Sequence, residues 1–156
     1  MKTVSSMMFA VLLGTFLLSF FVFTADACTA GSDLEFQRIG GGRYGGINDR
    51  QFLTVSSEEQ WEKLWGEING NVLPLPPTPF VDFDTHTLAA IFQGLQRSGG
   101  YSISVESVTE GEDRVAVRVR EVEPGPRNIV TMALSSPWEV VAFPRTEKPV
   151  IFTCSR

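Results

Sequence analysis

The chain has 156 residues, 43% of them hydrophobic, and a formal net charge of −5. That length suits one domain with a core of its own, and the acidic balance argues against a nucleic-acid partner. A single histidine and two cysteines leave few side chains for metal or nucleophilic chemistry.

Lys2 is followed by a stretch from Met7 to Phe23 that holds only apolar or small residues, and Ala25-Asp26-Ala27 precedes Cys28. This is the layout of a secretory leader over residues 1–27, which predicts an exported protein, secreted or held in the cell envelope. An uncleaved leader would act as a membrane tether, since the apolar run is nearly long enough to span a bilayer. Cys28 and Cys154 admit three readings: a disulfide joining the two ends of the mature chain, a lipid anchor on Cys28, or free thiols.

Residues 28–50 are rich in glycine (Gly40, Gly41, Gly42, Gly45, Gly46) and read as an irregular lead-in with one short strand at most. A β domain is then expected over 51–156. Gln51 to Val55 is a strand candidate. Ser56 and Glu59 form a capping box opening a helix near residues 57–68, whose Trp61, Leu64, Trp65 and Ile68 fall on one face. Asn69-Gly70 stops it, and Pro74, Pro76, Pro77 and Pro79 hold an extended connection.

Beyond the prolines the period changes. Phe80 to Phe83 is followed by a nearly unbroken apolar run, Leu88 to Phe92, short enough for a buried strand. Gly94 to Gly100 reads as a turn into Tyr101, Ile103 and Val105, which alternate with polar residues. Val115, Val117 and Val119 do the same beyond a Glu110–Asp113 loop, giving a hairpin. Further strands are expected at 129–134, 138–143 and 150–154. The whole predicts a mostly β fold, an antiparallel β-sandwich with one amphipathic helix and immunoglobulin-like character.

No chemical motif survives comparison with its structural requirements. Gly40-Gly41-Gly42-Arg43-Tyr44-Gly45 matches G-x-G-x-x-G, but no helix follows it directly, so it reads as a glycine turn. His86 lies near Asp82 and Asp84 without a nucleophile elbow or a full ligand set, and reads as a solvated strand-end residue. The expectation is therefore a non-enzyme with no catalytic residue, metal or cofactor. Trp61 and Trp65 are expected in the core. Trp138, entered through Ser135-Ser136-Pro137, is expected to be partly exposed at a loop-to-strand junction.

Asp82-Phe83, Phe92-Gln93-Gly94, Gly99-Gly100-Tyr101, Val115 to Val119, Pro124-Gly125-Pro126 and Ser136-Pro137-Trp138 occur here in the order and spacing of the PrcB-like family, which the segment Gln51 to Cys154 resembles. Ser98 stands where that family often has Thr, and Trp138 where Tyr is common. The family takes its name from a subunit of a secreted bacterial protease complex. The resemblance thus implies an exported β domain that binds another protein, in the named case a protease that it stabilises. Gly99-Gly100-Tyr101 and Pro137-Trp138 are also similar to two of the three loop motifs of chagasin-like inhibitors of cysteine proteases, the third being missing. A structural envelope lipoprotein is the remaining alternative.

The candidate binding residues are accordingly Arg97, Ser98, Gly99, Gly100, Tyr101, Pro137 and Trp138. An exposed Trp138 predicts that Trp138→Ala weakens partner binding by about 2 kcal/mol while sparing the melting temperature. A buried one predicts a stability loss of about 3–5 kcal/mol instead.

Overall fold

The computed structural model describes residues 31–155, so the leader and Cys28 lie outside the described residues. Eight strands and one helix follow in the order β1 (Ser32–Leu34), β2 (Gln37–Gly42), β3 (Gln51–Val55), α1 (Glu58–Ile68), β4 (His86–Phe92), β5 (Ser102–Glu110), β6 (Val115–Val122), β7 (Trp138–Pro144) and β8 (Val150–Ser155). They form two four-stranded sheets, β1-β5-β6-β8 and β2-β7-β4-β3. The mostly β, sandwich-like fold expected from the residues is the fold observed.

The second sheet is covered on both faces. Leu88, Ala90 and Phe92 of β4, with Trp138, Val140 and Ala142 of β7, pack beneath the helix against Trp61, Leu64, Trp65 and Ile68. The alternate residues Ala89, Ile91, Val141 and Phe143 face the first sheet and meet Ile103, Val105, Val108, Val115, Val117 and Val119. The molecule is thus three layers deep: helix, sheet, sheet. This explains why β4 and β7 read as continuous apolar runs while β5 and β6 alternate, since only the first pair is buried on both faces.

The helix forms as its pattern predicts, with its cap one residue later. Ser57, in extended backbone, is the N-cap and accepts from the Gln60 N–H, while the Gln60 side chain reaches back to the Ser56 N–H. Glutamine at the third helical position thus answers the cap, but on the N–H just before the cap residue rather than the cap's own. Asn69 caps the other end. Trp61 and Trp65 donate their indole N–H groups to the carbonyls of Pro79 and Pro76, which pins the proline connection along one flank of the helix.

Four expectations are corrected. The glycine-rich lead-in carries two strands, β1 and β2, each pairing in a different sheet. Residues 129–134 form a loop, with Ile129 and Met132 almost fully exposed, because their apolar character serves no strand face. The stretch from Gly94 to Gly100, read as a turn, is a crossing between layers, since β4 and β5 belong to different sheets. One pair, β6 with β8, runs parallel, its return path made by the intervening β7 in the other sheet. The β5–β6 hairpin is as expected, with a bulge between Val105 and Ser107 that lets both Val105 and Val108 face the core.

A carboxylate ties the sheets together. Glu139 of β7 is 8% exposed and points at the first sheet, where one oxygen accepts the Val105 N–H at 2.7 Å beside that bulge. Its other oxygen meets Arg38 Nε at 3.0 Å. Arg38 is mostly solvent-exposed, so its share is screened, whereas the Val105 N–H has no water to replace the carboxylate. Glu139→Ala is expected to cost about 2–3 kcal/mol in urea unfolding, and Arg38→Ala less than about 1 kcal/mol.

Candidate protein-binding site

Two connections cross between the sheets at the same end of the molecule: 93–101 from β4 to β5, and 123–137 from β6 to β7. Hydrogen bonds lock one to the other. Gln96 and Ser135 exchange backbone bonds at 2.7 and 3.0 Å, Gly99 N–H donates to the Thr131 carbonyl at 2.9 Å, and the Ser135 hydroxyl donates to the Ser98 carbonyl at 2.8 Å. Gln93 N–H reaches the Pro137 carbonyl at 3.0 Å. Gly100 has φ +88, a left-handed value that favours glycine, and a Cβ there would lie 2.8 Å from Val130. The structure therefore sets Ser98, Gly99 and Gly100 against the 123–137 connection, with Arg97 and Tyr101 in the same crossing and Pro137 bonded to Gln93.

A third loop completes this end. Ser136 N–H donates to the Arg43 carbonyl, Gly45 N–H to the Ser136 carbonyl, and Leu95 N–H to the Asn48 carbonyl, all within 3.0 Å. Around these contacts Tyr44, Val72, Leu95 and Leu134 are exposed and line a groove of ≈ 310 Å³ floored by Gly45, Asn48, Ser135 and Ser136. The backbone groups at the floor are engaged with one another, while the apolar side chains on the rim have no protein to cover them. These four residues were missed in the sequence. Their only signal is that Tyr44, Val72 and Leu95 stand in glycine- and proline-rich segments that no helical or strand pattern uses, while Leu134 was assigned to a strand at 129–134 that the structure lacks.

Trp138 is not part of this surface. It is 8% exposed, sits edge-on to Trp65 at 6.1 Å and belongs to the core beneath the helix. The expectation of an exposed residue failed because Ser-Ser-Pro places the backbone of residue 138 at a loop exit, whereas strand alternation decides where its side chain points. Glycines make room for it: a Cβ on Gly40 would lie 3.1 Å from the indole, and one on Gly45 would lie 2.8 Å from it. The run that resembles a nucleotide-binding motif is in this chain a partly stranded cradle for a tryptophan.

His86 opens β4. Its Nδ1 lies 2.8 Å from the Thr85 hydroxyl, which lies 2.9 Å from Asp82 Oδ2. An ionised carboxylate only accepts, so the hydroxyl gives its proton to Asp82 and receives the imidazole N–H. In that order, acid to hydroxyl to imidazole, the histidine donates to the hydroxyl rather than taking its proton. Asp82 also accepts the Asp84 N–H, and the Thr85 hydroxyl and that N–H together hold its carboxyl below the usual range. The group acts as a turn that starts the strand. Among the described residues no three His, Cys, Asp or Glu side chains converge as metal ligands.

Cys154 is exposed on β8, with Arg50 Nη2 3.3 Å from its sulfur and Arg50 Nε 2.9 Å from Glu121. All three readings of the cysteines turn on Cys28, outside the described residues.

The architecture so far is that of a small two-sheet β domain whose loop end offers an apolar surface. Residues 87–144, from β4 through β7, match the protein-family model described as PrcB C-terminal. The resemblance read from the residues is thus supported by an independent comparison, over a segment that contains both crossing loops. No curated protein and no solved structure matches the chain.

Trp138→Ala is expected to lower stability by about 3–5 kcal/mol in chemical unfolding. A loss within about 1 kcal/mol would return the residue to the surface.

Proposed function

We propose that the chain is an exported, non-catalytic protein-binding module that docks another exported protein on its loop end, as an accessory or stabilising subunit of a secreted or envelope protease. The observation that carries this is the apolar rim of Tyr44, Val72, Leu95 and Leu134, exposed around a groove whose polar floor is already satisfied. Exposed large apolar residues gathered on a rigid surface are the ordinary mark of a protein interface. Rigid loops add to this, because a surface already held by hydrogen bonds loses little entropy on docking.

The match to the PrcB C-terminal family supports a protease as the class of partner, and the leader-like residues 1–27 support export. An inhibitor in the chagasin manner finds less support, since its Pro-Trp motif would here have to present a buried indole. A non-catalytic role is part of this proposal, and the bonding order at His86, the chain's single histidine, favours it.

The test is a double substitution, Leu95→Ser with Leu134→Ser. It is expected to leave the melting temperature within a few degrees, because both residues are exposed. Crosslinking in the native envelope should then recover the partner protease at least about tenfold less well than with the unaltered chain. Undiminished recovery of the same partner would place the contact elsewhere.

A further inference from the structure

The strand that follows Cys28 and the strand that holds Cys154 are the two opposite edges of the first sheet, in the order β1-β5-β6-β8. Ser32, Glu110, Val115 and Val150 stand opposite one another in a single row across all four strands. β1 is antiparallel to β5, β5 to β6, and β8 is parallel to β6, so β1 and β8 run in the same direction. The chain before Ser32 therefore enters from one end of the sheet, while Cys154, beyond Val150 on β8, lies toward the other.

The Cys154 sulfur is on the inner side of its edge. Phe152, on the same strand face, packs into the core between the sheets, and the sulfur accepts from Nη2 of Arg50, which precedes β3 in the other sheet, at 3.3 Å. Gly31 marks the opposite corner. It is pressed against β5, where a Cβ on it would lie 2.6 Å from the Thr109 methyl and 2.8 Å from the Glu110 carbonyl oxygen.

From Gly31 to Cys154 is three strand spacings across, roughly 14 Å, and about five residues along, roughly 16 Å, which makes roughly 21 Å in a straight line. Only Thr29 and Ala30 separate Gly31 from Cys28, so even a fully extended chain carries the Cys28 Cα no more than about 11 Å from Gly31. A disulfide spans at most about 7 Å between Cα atoms. The two together fall short of the straight line, and that line runs through β5 and β6. A path over the outer face is longer still, because it must also turn round β8 to reach a sulfur that faces inward.

We infer that Cys28 and Cys154 of one chain do not pair in the folded protein, which removes the disulfide joining the ends of the mature chain from the three readings of the cysteines. Strand pairing alone holds β1 and β8 in place, and a disulfide at Cys154 joins two molecules. The geometry is the same whether the leader is cleaved or retained, and it does not depend on the function proposed above.

Protein purified from its native envelope, treated with iodoacetamide in denaturant without reduction and digested for mass spectrometry, reads the state of each thiol. Cys154 should be found alkylated, or joined to a second molecule in species that a non-reducing gel separates from the monomer. A linked Cys28–Cys154 peptide from the monomer band would overturn the inference. Forcing the bridge supplies a second readout. The full-length chain oxidised in urea, where the two thiols can meet, is expected to give a bridged monomer that unfolds at lower urea than the reduced chain, because the bridge pulls β1 from its edge. A native bridge would instead stabilise the fold, so a bridged monomer as resistant to urea as the reduced chain, or more so, would also overturn it.

Discussion

Everything in this fold follows from burying both faces of one strand pair. β4 and β7 lie at the centre of their sheet, with a helix on one side and a second sheet on the other. Neither cover is optional, because Leu88 to Phe92 and Val140 to Phe143 offer no polar face to water. Wrapping the pair takes one helix with a four-residue apolar stripe and one sheet with an alternating inner face. The chain supplies one of each.

The same constraint shapes the loop end of the molecule. A strand pair covered by two different layers must be connected to both, so the links from β4 to β5 and from β6 to β7 have to cross the edge of the sandwich. Crossing loops cannot use ladder bonds, and here they bond to each other instead, through Gln96, Ser98, Gly99, Thr131 and Ser135. With their backbones satisfied in this way, the loops can hold Leu95 and Leu134 outward on a rigid base. Rigidity and exposure, the two properties a docking surface needs, thus have a single structural cause.

Polar groups inside the molecule serve the same end. Glu139 stands where the apolar run of β7 begins and spends its carboxylate on the bulged β5, so a charged residue in the inter-sheet layer also ties the layers together. A buried charge at that position is tolerable because an N–H and a guanidinium meet it. The glycines of β2 play the complementary part on the other face, leaving space for an indole that a strand with side chains could not accept.

Local patterns determined much about this protein from its residues alone. The helical stripe of Trp61, Leu64, Trp65 and Ile68, the β5–β6 alternation and the buried run of β4 are each legible because periodicity records which faces are covered, and the order of glycine and proline turns was enough to point to the PrcB-like family. What only the tertiary structure decided is which layer each strand joins and which way a side chain at a junction faces. β1 and β2 were invisible because glycine carries no periodic signal, and their strand character comes from partners far along the chain, β5 and β7. Trp138 was misjudged because a turn sequence reports on the backbone, whereas the side chain obeyed an alternation set by the helix above it. Tyr44, Val72, Leu95 and Leu134 stand in four separate segments, and no linear pattern relates them. They become one surface only when two sheets are stacked and the chain must cross between them.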